Sequence, residues 1–156
     1  MAMNSSGKYR IRPLTISDLS DLADYEPLIE LWQRSGLSHR PEGRDSRDEI
    51  AREVKRKESC FLGMFDGDRL IGSVIGTSDG RKGWINRLAV DPDYRGQGLG
   101  LRLIKECESF LFGLGLKIIA ALIETDNKPS RALFAKAGYV FPDDIVYCSK
   151  RRSPEV

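Results

Sequence analysis

Three glycines at alternate positions, Gly96, Gly98 and Gly100, lie between an apolar run that is typical of a strand and one that is typical of a helix. Glycine weakens the first turn of a helix, so its presence there calls for a reason such as a ligand that approaches the main chain closely. Free N–H groups at a helix start bind anions, and successive inward N–H groups form a nest for phosphate. The stretch therefore predicts a phosphate or pyrophosphate site made by backbone, with Arg95 adding positive charge at its rim.

Two common phosphate-binding motifs do not fit this stretch. A P-loop needs Lys followed by Ser or Thr after its glycines, and that pair is missing here. A dinucleotide fingerprint needs a further glycine where this chain has Leu101 or Leu103, and it expects a parallel βαβ unit at the first strand. A tight loop followed by close helix packing is the plain structural alternative for the glycines.

The composition excludes several classes of function. The 156 residues fit one domain, and a net charge of +2 is too small to indicate nucleic-acid binding. One histidine and three cysteines without close spacing argue against a metal site, and we expect Cys60, Cys107 and Cys148 to be small buried hydrophobes. No apolar run has the length of a signal peptide or membrane span, so we expect a cytoplasmic protein without a membrane partner.

Periodicity outlines the elements that would position these residues. Capping residues at 15–18 and 46–49 open two helices, a third follows the glycines, and a fourth covers 130–137. Strands are predicted at 9–13, 60–65, 69–77, 84–90, 117–124, 139–141 and 145–149. The run 117–124 is almost entirely apolar, as expected of a strand covered on both faces and parallel to its neighbour. We expect a single domain over 9–152, between a flexible lead (1–8) and a tail (153–156).

The glycine stretch also carries a resemblance to a known family. Arg95-Gly96-Gln97-Gly98-Leu99-Gly100 matches the acyl-CoA signature of the GNAT superfamily of N-acetyltransferases, in which Arg or Gln is followed after two residues by Gly-x-Gly or Gly-x-Ala. The strand end before it (88–92, LAVDP), and Asn127 with the segment 131–139 (RALFAKAGY), are similar to that family as well. The order of elements agrees over nearly the whole chain, while the acceptor stays unassigned.

The resemblance implies a mixed α/β fold with acetyl-CoA as the donor. Its twisted mixed sheet would have about six or seven strands, with about four flanking helices, and would splay open between the strands at 84–90 and 117–124. The glycine loop would hold the pyrophosphate by backbone, and an N–H of the fourth strand would polarise the thioester oxygen. The cofactor-binding residues implied are Leu88, Ala89, Val90, Arg95, Gly96, Gln97, Gly98, Leu99, Gly100, Leu101, Asn127 and Arg131.

The implied reaction is direct attack of a primary amine on the acetyl thioester in a ternary complex. Two family positions differ here: Phe134 replaces a tyrosine acid, and Leu122 replaces a glutamate that ribosomal-protein acetyltransferases use. Asn86 stands where other members have a glutamate on the fourth strand. Glu124, acting through water, and Tyr139 are the candidate base and acid. A solvated strand end explains Glu124 equally well, and a packed strand aromatic is the favoured explanation of Tyr139.

The acceptor side is the least determined part of the site. The resemblance implies that the first helices and the loop 37–45 form its wall, which makes Trp32, Arg40 and Arg44 candidate contacts. A guanidinium fork there suits a carboxylate or phosphate on the acceptor, whereas a core tryptophan and a solvated loop account for the same residues. Because of Phe134 and Leu122, a non-catalytic acyl-CoA sensor stays open as the alternative function. A homodimer also stays open, since the sheet would have exposed edges.

Overall fold

The computed structural model describes residues 7–14 and 23–154. Its strands are β1 (Arg10–Pro13), β2 (Cys60–Asp66), β3 (Arg69–Ser78), β4 (Gly83–Val90) and β5 (Ile119–Ala121). Its helices are α1 (Tyr25–Ser35), α2 (Arg47–Val54), α3 (Leu99–Gly113) and α4 (Lys128–Lys136), and a short 3-10 turn (Pro92–Tyr94) precedes α3. The capping residues expected at 15–18 lie outside the described residues, although the helix predicted after them includes α1. The other three predicted helices are confirmed as α2, α3 and α4.

The sheet is mixed and runs in the order β1-β2-β3-β4-β5. The first four strands are antiparallel neighbours: short turns join β2 to β3 and β3 to β4, whereas α1 and α2 lie between β1 and β2. Gly67, at φ 58°, provides the left-handed residue that the β2–β3 turn requires. β5 is parallel to β4 because the chain crosses over through α3. The mixed α/β architecture is therefore confirmed, with five strands in the described residues instead of six or seven.

Helices cover both faces of this sheet. α1 and α2 pack on one face, where Leu28, Leu31 and Trp32 of α1 are fully buried. α3 packs on the other face through Leu103, Ile104, Cys107 and Leu111, with Phe134 of α4 beside it. Local sequence signals set the ends of these helices. Gly36 ends α1 in a left-handed conformation at φ 76°, and the Ser46 hydroxyl caps α2 by accepting from the Glu49 N–H.

The C-terminal part of the chain departs from the sequence prediction. Segments 139–141 and 145–149 are not strands, and Val140 and Val146 are 89% and 85% exposed. Cys148 is exposed, unlike the buried Cys60 and Cys107. The prediction that 117–124 is covered on both faces was also wrong: β5 is three residues long, and Leu122 is 59% exposed. Strand propensity produces a strand only where a neighbour pairs with it, and within 7–14 and 23–154 no strand pairs with the outer edge of β5.

Candidate functional site

β4 and β5 pair over only three residues and then separate. Gly83, Trp84 and Ile85 are in register with residues 119–121, so residues 86–90 have no strand partner on that side. Beyond β4, the Asp91 N–H donates to the Ile71 oxygen of β3 at 2.8 Å. Antiparallel alternation therefore turns the backbone groups of Val90 away from β3, toward the open side. The sheet therefore splits between β4 and β5 at the point where the splay was expected, and we call this gap, bordered by strand backbone without a strand partner, the cleft.

A β-bulge lies on the part of β4 that borders this cleft. The register shifts between Ser73 and Ile75 of β3, which leaves Arg87 and Leu88 opposite Val74. Arg87 has φ 52° and is the one non-glycine residue with positive φ in the described part of the chain. Such a bulge breaks the regular pleat and re-aims the backbone groups that follow it.

The side chain of Arg87 joins the bulge to the loop between α1 and α2. Its guanidinium donates to both carboxylate oxygens of Asp45 at 2.7 Å, contacts the carbonyl of Ser38, and lies 5.1 Å from the centre of a Trp32 ring. Asp45 is buried and also accepts from the Arg40 N–H at 2.6 Å. Burial lowers the pKa of Arg87, and the charge of Asp45 opposes that effect. The acceptor-side loop is thus fastened to the strand that borders the cleft.

The glycines before α3 have two different structural roles. Gly96 and Gly98 adopt left-handed conformations at φ 79° and 73°, and a Cβ at either position would meet no atom within 4 Å. Both therefore serve the backbone geometry of an open loop at a helix start, where N–H groups are free to bind an anion. Gly100 serves packing instead, because its Cβ would lie 2.8 Å from the Leu133 Cδ2 atom of α4. The plain structural alternative holds for this third glycine.

Side chains of the same loop brace it against neighbouring elements. Arg95 donates through Nε to the Val90 oxygen at 3.2 Å and through its terminal nitrogen to the Ser35 oxygen at 3.1 Å. Gln97 donates to the Tyr94 oxygen at 3.3 Å. These contacts tie the loop to β4, to the end of α1 and to the preceding turn. The free groups that remain at the mouth of α3 belong to the main chain.

Two residues expected to contact the cofactor lie at the start of α4. The Asn127 side-chain oxygen caps the helix by accepting from the Ser130 N–H at 3.2 Å, so its amide NH2 points to no partner among the described residues. The Arg131 guanidinium lies 4.9 Å from the centre of the Phe141 ring. Asn127 is thus oriented by its cap, and Arg131 is held by an aromatic face.

The candidate acid and base occupy different surroundings. Phe134 is buried and meets Tyr139 edge to face, with ring centres 5.0 Å apart. The Tyr139 hydroxyl donates to Glu108 of α3 at 2.9 Å, and burial together with that bond raises its pKa, which makes the proton harder to release. Glu124 is exposed in the segment that follows β5. Among the described residues, no hydrogen bond joins Tyr139 to Glu124.

The three candidate acceptor contacts differ in how far they are buried. Trp32 is fully buried, so the core interpretation of this residue holds. Arg40 and Arg44 are exposed on the acceptor-side loop, and Arg44 lies 3.9 Å from Asp45. The two arginines are therefore accessible to solvent, while Trp32 packs in the core against the Arg87 side chain of the bulge.

Glu53 of α2 is a half-buried carboxylate that the sequence analysis missed. Burial raises its pKa, and the charge of Asp45 adds to this effect, whereas Arg56 and Arg87 oppose it. In the described ranges, no hydrogen bond or ion pair reaches its carboxylate. The sequence does not indicate that Glu53 is partly buried, because a glutamate in an amphipathic helix is usually solvated. Ser73, Arg87 and Asp45 were missed for a related reason, because their contacts join distant parts of the chain.

Residues 7–14 and 23–154 contain neither a candidate metal site nor a candidate membrane span. No group of three or more His, Cys, Asp or Glu residues there could hold a metal ion. None of the helices in those ranges combines the length and apolar character needed to cross a bilayer.

Comparison with known proteins identifies the family. The model of the acetyltransferase (GNAT) family matches residues 25–139. An acetyltransferase of Sodalis glossinidius is 32% identical over 128 residues, which are 82% of this chain and 89% of that protein. An acetyltransferase of Pectobacterium atrosepticum is 33% identical over 122 residues, 78% and 85% of the two chains. The crystal structure of the PaiA N-acetyltransferase of Thermoplasma acidophilum in complex with coenzyme A gives a TM-score of 0.70 at 23% identity, over 83% and 88% of the chains. The chain therefore belongs to the acetyltransferase (GNAT) family, and it is an N-acetyltransferase with acetyl-CoA as its donor.

Proposed function

We propose that this protein transfers the acetyl group of acetyl-CoA to a primary amine by direct attack in a ternary complex. The observation that carries the proposal is the edge of β4 over residues 86–90, which has no strand partner and lies next to the open glycine loop that begins α3. The amides of a pantetheine arm have the hydrogen-bonding groups of a strand, so they would pair with Leu88 and Val90 in place of β5, and Arg95 would release the Val90 oxygen. The pyrophosphate would then lie on the N–H groups at the start of α3.

The chemistry follows from that placement. The amine nitrogen bonds to the acetyl carbon, the C–S bond breaks, and its electron pair leaves on the CoA sulfur. The Leu88 N–H would donate to the thioester oxygen as negative charge develops on it. The amide NH2 of Asn127, which its capping role leaves free, would contact the pantetheine arm from the other side.

Proton transfer would depend on a carboxylate base and need no dedicated acid. A thiol has a pKa of about 8.5, so thiolate is an adequate leaving group when phenylalanine occupies position 134. Tyr139 would first have to give up its bond to Glu108. For the base, Glu53 has a pKa raised toward the operating range, and Glu124 is accessible to water. We therefore propose Glu53 and Glu124 as the two bases to compare.

The acceptor would bind against the loop that Asp45 fastens to Arg87. Arg40 and Arg44 are exposed on this loop, so they are the groups that an anionic part of the acceptor would meet. Trp32 would act indirectly, because it is buried beneath Arg87 and has no surface to offer.

Calorimetric titration with acetyl-CoA tests the cofactor site, and Gly98→Val is the informative variant. A Cβ at Gly98 meets open space, so the substitution strains a left-handed backbone by about 1–2 kcal/mol without a clash. Gly80→Val is a matched control, since Gly80 has φ 86° and equally open space in a distant turn. We expect Gly98→Val to lose acetyl-CoA binding and Gly80→Val to keep it.

Release of CoA thiol across a panel of amines tests turnover. Release above the rate of blank hydrolysis with one or more amines supports acetyl transfer. Tight binding without release for any amine would favour the acyl-CoA sensor, and absence of binding by the folded wild type would overturn the proposed function.

A further inference from the structure

Ser73 has a fully buried hydroxyl on β3 whose two hydrogen bonds connect α1 to the bulge of β4. It accepts from the Trp32 indole N–H at 3.0 Å and donates to the Arg87 carbonyl oxygen at 3.2 Å. A buried hydroxyl is costly unless it is paired, and this one is paired on both sides. The three residues therefore form a chain of contacts from α1, through β3, to the peptide that follows Arg87.

The orientation of that peptide follows from its planarity. In a trans peptide, the carbonyl oxygen of Arg87 and the N–H of Leu88 point in opposite directions, and the described residues contain no cis peptide bond. Since the oxygen faces Ser73, the Leu88 N–H points away from β3, toward the side where β5 has separated from β4. The Ser73 hydroxyl thus sets the direction of the one donor that lies at the bulge and faces the cleft.

We propose that Ser73, itself oriented by Trp32, is a positioning residue for acetyl transfer that aims the Leu88 N–H at the thioester oxygen. This inference rests on the proposed function. Ser73 moves no proton: the C–N bond forms, the C–S bond breaks, the electron pair leaves on sulfur, and the amine proton goes to the base. Loss of the hydroxyl frees the Arg87 oxygen and lets the left-handed φ of 52° relax, which rotates the donor away.

The thioester carbonyl of bound acetyl-CoA gives the direct test. With a ¹³C label at the acetyl carbonyl, infrared difference spectra of the wild type should show a lower stretching frequency than free acetyl-CoA, because a hydrogen bond polarises the bond. In Ser73→Ala we expect the frequency to return toward the free value. A misaligned donor should lower kcat by about 10- to 100-fold, while the Kd for acetyl-CoA changes by less than about threefold.

Matched variants distinguish a loss of orientation of the Leu88 N–H from a general loss of core packing. Val74→Ala removes buried volume at the next position and touches neither hydrogen bond, so it should keep the shifted carbonyl band. Ser73→Thr keeps the hydroxyl and should restore the band. Trp32→Phe keeps a ring beneath Arg87 but removes the indole donor, and it should lose part of the shift. If Ser73→Ala does not fold, the Thr and Phe variants provide the same comparison.

The outcomes are distinguishable. A Ser73→Ala enzyme with the wild-type band and the wild-type kcat would overturn this inference alone. A wild type that binds acetyl-CoA without any carbonyl shift would also overturn it, while leaving the cofactor site intact. A wild type that fails to bind acetyl-CoA would overturn the proposed function, and this inference with it.

Discussion

The ion pair between Arg87 and Asp45 should contribute strongly to stability, and a double-mutant cycle measures that contribution. The side chains are only 17% and 7% exposed, and two contacts of 2.7 Å join them. Asp45→Asn leaves a buried guanidinium with the Ser38 carbonyl and the Trp32 ring, at a cost of about 3 kcal/mol. Arg87→Met leaves a carboxylate that keeps the Arg40 N–H, so we expect a smaller loss of about 2 kcal/mol.

The double variant leaves no unpaired charge and should lose about 3 kcal/mol, which gives a coupling energy of about 2 kcal/mol. Urea unfolding supplies the free energies, and the Asp45→Asn enzyme should melt about 6–12 °C lower than the wild type. Arg52 and Glu49 form an exposed pair at 3.0 Å on α2, which serves as the control and should couple by less than about 0.5 kcal/mol. Additive losses at Arg87 and Asp45, within the error of that control, would refute the assignment of a buried, interacting pair.

Three further predictions concern single titratable groups. Glu53→Gln should lower kcat by about 10²–10⁴-fold if Glu53 is the base. Wild-type activity should then fall on acidification through a pKa above the usual carboxylate value. A larger loss of kcat in Glu124→Gln would assign the role of base to Glu124 instead. The pKa of Asp79 is lowered from 3.8 to about 2 by hydrogen bonds from the Lys82 N–H, the Trp84 indole and the Arg81 N–H. The stability that Asp79 contributes is therefore present above pH 3.8 and is lost as the pH falls to about 2. Melting temperatures of Asp79→Asn and wild type should therefore differ at neutral pH and converge in acid, and a constant difference would contradict this. Native protein should react with one equivalent of maleimide, at the exposed Cys148, and unfolded protein with three, which electrophoresis or mass spectrometry counts directly.

Local signals predicted several secondary-structure elements well. The glycine loop, the helix after it and the Ser46 cap depend on residues close in sequence, so their spacing carries the information. The C-terminal strands failed for the opposite reason. Ile145 and Val146 have high strand propensity, yet pairing needs a free neighbouring edge that no spacing reveals. The same limit applies to β5, whose apolar sequence predicted cover on both faces.

The structural support of the bulge could not be predicted from sequence. Arg87 meets Asp45 across 42 positions, and Ser73 meets Trp32 across 41. A serine between buried strand residues and an arginine in the middle of a strand are ordinary in isolation. Their importance depends on a register shift, which arises from how two strands fit together.

The close approach of Gly100 in α3 to Leu133 in α4 should couple the residue types that these two positions accept during evolution. The first turn of α3 approaches α4 so closely that a methyl group at position 100 would lie 2.8 Å from a leucine methyl. A family member with alanine at the first position should therefore carry a smaller or differently shaped residue at the second. Substitutions at these two sites should therefore be coupled, and transplanting either one alone between relatives should cost slightly more stability than transplanting both.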